Sequence, residues 1–180
     1  MIQLLFERKS QIWVETVIYT LIGLTLIAIV LSIATPYLQT VKDKAVISQT
    51  VDALLVLHKE LLVVADVVGN VRIVQFKILK GGITINELND TIQYVLENTN
   101  AKYSEPGVPV TEGDLVYLTE PYARRYTIFV TIPFTNFDII NENEQAITLL
   151  PAGGVLYKIK IENEGFNETS GKIMIRVGTI

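Results

Sequence analysis

Glu15 is the ionisable residue of this chain with the most telling position. It stands immediately before Thr16–Val41, twenty-six residues without a formal charge, and four residues after Gln11. A carboxylate at the edge of so apolar a stretch is unfavourable unless it reaches an interface or meets a cation. Just upstream lie Arg8, Lys9 and the small residue Ser10. A cut after Ser10 would create an ammonium at Gln11, about one helical turn from Glu15. When such helices stack with a stagger, the carboxylate of one meets the amine of its neighbour in a low-dielectric core. That pairing would fix an axial register, which apolar contact alone leaves free.

Elsewhere the residue types exclude more than they offer. The absence of cysteine removes disulfides, thiolate metal sites and thiol catalysis together. The one histidine, His58, falls on an apolar helical stripe with no second ligand in view, and reads as a half-buried helix–sheet contact. The chain has no P-loop, no dinucleotide fingerprint, no nucleophile elbow and no His-Glu-x-x-His. Glu142-Asn143-Glu144 and Glu162-Asn163-Glu164 lack the spacing of a dedicated calcium loop and read as solvated turns. These observations point to a protein that is not an enzyme and carries no cofactor or metal. A net charge of −4 without a basic patch argues against a nucleic-acid partner. Two N-glycosylation sequons occur, at Asn89 and Asn167; the second lies in a Gly/Asn-rich stretch before the last expected strand and is the better candidate.

The elements that position these residues follow from periodicity. Residues 1–10 are too short and too polar at their end to form structure of their own. The apolar run is long enough to cross a bilayer, which takes about 20 helical residues. Lys42 and Lys44 beyond it nearly balance Arg8 and Lys9, so the charge rule does not orient the span. Pro36 predicts a bend or a local loss of helix. From Tyr37 to Asp66 the pattern remains helical, with Ile47, Val51, Leu54, Leu55, Leu61, Leu62 and Ala65 at spacings of three and four, until Gly69-Asn70 stops it. From Val71 the period changes to two, and Gly81-Gly82 reads as the turn of a hairpin between the first two strands. Further strand runs are expected at 91–96, 114–119, 125–132, 146–150, 155–161 and 172–177, with 87–98 alternatively a short helix and Glu164-Gly165 a turn. Seven or eight short strands in about 110 residues predict an antiparallel sandwich. The fold class is therefore α+β: a long N-terminal hydrophobic α-helix packed on a C-terminal antiparallel β-sandwich, as residues 1–10, 11–68 and 69–180.

Arg8-Lys9-Ser10-Gln11-Ile12-Trp13-Val14-Glu15, followed by the apolar run from Thr16, resembles the class III signal peptide of type IV pilin-like proteins in its archaeal form. The stretch Lys102–Val108 with Glu112-Gly113 resembles the β-domain of archaeal proteins with the same leader. The resemblance implies a pilin-like fold and cleavage between Ser10 and Gln11 by a membrane prepilin peptidase on the cytoplasmic side. It also implies an outward-facing C-terminal domain, and assembly through Glu15 by an ATPase and a membrane platform protein. Archaellins usually lack this glutamate, which favours a pilus-type filament. The expected function is a structural subunit of an adhesive extracellular filament, held in the cell membrane as a precursor and then polymerised with copies of itself. The alternatives are a single-span anchored binding module that never polymerises, and a minor pilin.

Overall fold

The computed structural model describes residues 2–142 and 145–180, and for residues 2–12 the backbone alone. The chain is α+β. Helix α1 (Ile2–Ala65) precedes ten strands among the described residues: β1 (Val71–Lys77), β2 (Gly82–Asn86), β3 (Thr91–Thr99), β4 (Val110–Glu112), β5 (Leu115–Tyr122), β6 (Arg125–Pro133), β7 (Phe137–Asn141), β8 (Ile147–Pro151), β9 (Leu156–Asn167) and β10 (Lys172–Thr179). Residues 2–10 form no separate element: α1 begins at Ile2 and they continue it. An apolar helix already nucleated propagates readily, and Leu4, Leu5, Glu7, Arg8 and Lys9 are good helix formers.

Residues up to Val41 form one unit and Lys42–Ile180 another. In the second unit α1 buries Asp43, Ile47, Thr50, Leu54, Leu57, Leu61 and Val64. Alternating steps of four and three place these side chains on one face. Leu55 and Leu62, expected on that face, are 41% and 44% exposed. The strands form two sheets, ordered β1-β9-β10-β7 and β4-β5-β6-β3-β2-β8. Val74, Phe76, Ile159, Ile161, Ile175 and Val177 of the first sheet join Ile85, Ile92, Tyr94, Ile128, Val130 and Ile132 of the second in a core shared with the helix stripe.

The sheets depart from the expected antiparallel pattern in three places. The first is the hairpin expected at Gly81-Gly82. Instead β1 pairs with β9, while β2 pairs with β3 and β8. Gly81, at φ +79°, carries the chain from one sheet to the other, and a Cβ there would collide with the Val95 carbonyl oxygen. The second is β7, unread in the sequence, which lies parallel to β10. Its free edge is closed by carboxylates of the β2–β3 turn: Ile139 N–H donates to Asp90 Oδ1 at 3.0 Å and Asn141 N–H to Glu87 Oε2 at 3.1 Å. The third is β9, which runs through Glu164-Gly165; the ladder shifts register there instead of turning. The 87–98 stretch is strand β3 from Thr91 onward, alternately half-buried and buried as far as Leu96 and exposed at Glu97 and Asn98.

The helix end explains Glu162-Asn163-Glu164. Asn163 is buried, and its amide donates to the Val64 and Ala65 carbonyls at 3.2 and 3.0 Å. Asn70 donates to the Val63 carbonyl at 3.2 Å, and the Gly69 N–H donates to the Asn163 carbonyl at 2.8 Å. The last carbonyls of α1, which have no partner within the helix, are thus satisfied from the turn and from β9. Asn163 is a helix cap contributed by the sheet, where a solvated turn was expected. In the other acidic cluster, Asn143 and Glu144 lie outside the described residues.

The two sheets differ on their outer faces. On the first, Lys160 and Glu162 of β9 pair at 2.6 Å, and Arg176 of β10 grips Glu164 with two nitrogens, Nη2 at 2.9 Å from Oε2. On the second, two cross-strand rows run from β8 toward β4: Leu149–Thr84–Gln93–Thr131–Val116–Thr111 and Pro151–Gly82–Val95–Phe129–Leu118. Neither row holds a charge.

Candidate functional site

The candidate assembly element is the apolar part of α1. An 18-residue window of the Trp13–Ala65 segment reaches a mean hydropathy of 2.5, and none of it is buried. Trp13, Tyr19, Leu24, Val30, Ile33 and Tyr37 are each at least 59% exposed. The hydroxyls of this stretch bond to its own backbone: Thr20 to the Thr16 carbonyl at 2.8 Å, Thr25 to Leu21 at 2.7 Å, Ser32 to Ile29 at 2.7 Å and Thr35 to Leu31 at 2.7 Å. Such back-bonding lets a helix carry Ser and Thr in apolar surroundings without an unpaired donor. Pro36 lies inside the helix, where it removes one backbone donor.

Glu15 stands exposed near the start of this surface, and the Tyr19 hydroxyl, one turn along, donates to its Oε1 at 3.4 Å. Ser10 and Gln11, the expected cleavage pair, lie in the backbone of α1, and their side chains are outside the described residues. The 18-residue window and Glu15 make the segment long and apolar enough to cross a membrane, with one carboxylate at its edge.

Where the packed part of α1 begins, a polar cluster takes the first place on the buried stripe. Asp43 Oδ1 accepts from Lys80 Nζ at 2.7 Å and Oδ2 from the Thr99 hydroxyl at 2.6 Å. The Thr99 oxygen accepts from Ala101 N–H at 3.0 Å. Tyr94 donates to the Lys80 carbonyl at 2.8 Å, and burial pushes its phenol up to about 12. The cluster ties the helix to the β1–β2 link and to the end of β3. It joins elements and presents no reactive group. Asp43 stands between Lys42 and Lys44 and does not read as part of the apolar stripe. Its step of four to Ile47, then three to Thr50, is the signal that would have found it.

His58 is largely buried, its ring 5.6 Å from that of Phe134 and its Nε2 3.4 Å from Asp114 Oδ2. It lines a cleft of about 380 Å³ with Thr111, Phe134 and Asn136. One imidazole beside one carboxylate is too few ligands for a metal, and no group of three or more His, Cys, Asp or Glu gathers among the described residues.

The two sequons fall in different settings. Asn89 is exposed in the β2–β3 turn. Asn167 ends β9, half-buried. Its amide donates to Asp138 Oδ2 at 3.0 Å, and its Oδ1 accepts from Thr169 N–H at 2.9 Å. The Ser170 hydroxyl beside Asp138 holds that carboxyl below its usual range, with Asn167 and Lys172 adding to the effect. Access therefore ranks Asn89 ahead of Asn167. Comparison with protein-family models, with curated proteins and with solved structures finds no match to this chain.

Proposed function

We propose that this chain is the structural subunit of a type IV pilus-like extracellular filament of archaeal type. Its precursor is held in the membrane by α1. A prepilin peptidase removes residues 1–10, and an assembly ATPase with a membrane platform protein lifts the subunit into a polymer of its own copies. The observation that carries this reading is the Trp13–Val41 surface, apolar on every side and exposed or half-exposed throughout. A helix apolar all round needs lipid or other helices against it. Lipid alone accounts for the apolar residues and leaves Glu15 without a purpose. A staggered bundle of such helices accounts for both, because the carboxylate supplies the register that apolar packing lacks. Burial at roughly 25 cal/mol per Å² holds such a bundle without covalent links. The two-sheet domain has its own core and would coat the bundle, offering its loops for adhesion.

The test is the intact mass and N-terminal peptide of the protein in material sheared from the cell surface. A chain beginning at Gln11 in the sheared polymer is the expected result. A chain beginning at Met1 and confined to membranes would overturn the reading and leave a single-span anchored module.

A further inference from the structure

We infer that two uncharged rows on the outer face of the second sheet, bounded by Glu97 and Glu120 in the next row, are a contact surface for a second copy of this chain; the inference rests on the filament reading above. The first sheet serves as an internal control. Its outer face carries Lys158, Lys160, Glu162 and Arg176 on its two central strands, so the exposed Ile73 and Leu156 there lie among charges. The face of the second sheet, built on the same alternation, puts Val95, Phe129, Leu118 and Val116 in adjacent outward positions, with threonines and Gln93 between them. Gln93 spends its amide on the Thr131 hydroxyl at 2.9 Å, so the polar residues of the face are partly satisfied internally. At the β8 edge, Leu149 is 62% exposed. Gly82 leaves a groove of about 510 Å³ between Leu149 and Val95, with Lys80 and Glu97 at its lining, a socket for a side chain from outside. Charge depletion at the centre of a patch, more than apolar content overall, distinguishes interfaces from ordinary surface.

The size of the face selects its occupant. Two rows across strands about 4.8 Å apart, each row taking about 7 Å of strand, make a plane of roughly 300–400 Å². A stable free-standing complex needs about 800 Å² from each partner. The face is too small to hold a separate soluble protein by itself. It is large enough to add a contact between copies already held together elsewhere, because tethering raises their effective concentration. Copies joined through their apolar helices meet that condition.

The absence of cysteine makes the test direct. Leu149→Cys and Thr111→Cys place single thiols at opposite ends of one row, and Lys158→Cys places one on the charged face. Each full-length variant is labelled with a membrane-impermeant maleimide on intact cells, in filaments purified to this subunit, and after release in detergent. The two row thiols are expected to react about tenfold more slowly, or slower still, on cells and in filaments than after release, as for a group packed in an interface. Lys158→Cys should react alike throughout. Equal labelling of the row thiols on cells and after release would overturn the inference, even if the chain is recovered in sheared filaments. Protection on cells that disappears in the purified filaments would also overturn it, by showing that another molecule is the cover. Recovery in the sheared fraction reports on the filament reading separately.

Discussion

The two parts of α1 are equally helical and have opposite fates. Between Trp13 and Val41 the apolar residues surround the axis and all stay exposed or half-exposed; between Lys42 and Ala65 one stripe of them, Ile47, Leu54, Leu57, Leu61 and Val64, is buried in the core. Hydrophobic content does not separate the segments so much as its arrangement. A stripe is answered from within the chain, by β-strands brought to it. A surface without a polar side has to be answered from outside. The stripe also holds two polar places, Asp43 and Thr50. Asp43 meets partners on the strands and the loop; the Thr50 hydroxyl turns back to the Val46 carbonyl at 2.9 Å. Polar residues in the bare segment turn to their own helix in the same way as Thr50.

This contrast can be broken at its strongest point by equal truncations in the two segments. Leu57→Ala should cost about 3 kcal/mol of domain stability, read as an earlier thermal or urea transition of the full chain in detergent, since Leu57 is fully buried in the core that the helix stripe shares with the strands. Leu24→Ala should leave that transition in place, because Leu24 is 59% exposed. A shift of the domain transition by Leu24→Ala would merge the two segments into one packing unit. Next in size is Asp43→Ala. It strands the Thr99 hydroxyl and releases the Lys80 link, and a loss of about 2 kcal/mol is expected. Asn163→Ala should follow at about 1–2 kcal/mol, because the Val64 and Ala65 carbonyls lose the Asn163 amide where the helix ends and Val64 keeps only the Val67 N–H at 3.5 Å.

The smallest effect is the response to acid. Asp138 and Glu164 are held below the ordinary carboxylate range, Asp138 first by Ser170 and Glu164 first by Arg176. A carboxyl whose value is lowered on folding adds stability that is present above its unfolded value and is lost as pH falls through the folded one. The domain's melting temperature should be level from about pH 7 to pH 5 and decline below about pH 4. Asp138→Asn should make that decline shallower. An unchanged slope would remove Asp138 from the account.

Much of the helix was legible in the sequence, since an uncharged run and a spacing of three and four are local signals. The strands were legible wherever period-two alternation was long, as at Arg125–Pro133. What escaped depends on partners distant in the chain. Gly81-Gly82 looks like a hairpin because turn chemistry is local, but β1 finds its partner at residues 156–162. β7 contains Asp138 and Asn141 and looks unsuited to a sheet until the carboxylates of Glu87 and Asp90 close its edge. Asn163 carries no sign in its own segment that it caps a helix ending at Ala65. Of the candidate site, Glu15 and the bare apolar helix could be read directly. The buried role of Asp43 could not, because lysines on either side disguise the first position of the stripe.

The central claim is that the bare segment of α1 is covered by the same segment of other copies. Helical reconstruction of filaments sheared from the cell surface, by electron cryomicroscopy, tests it most directly. The account predicts Trp13–Val41 helices packed together along the filament axis, with the two-sheet domains outside. Filaments whose axis is built by another chain, with this one left in the membrane, would contradict it.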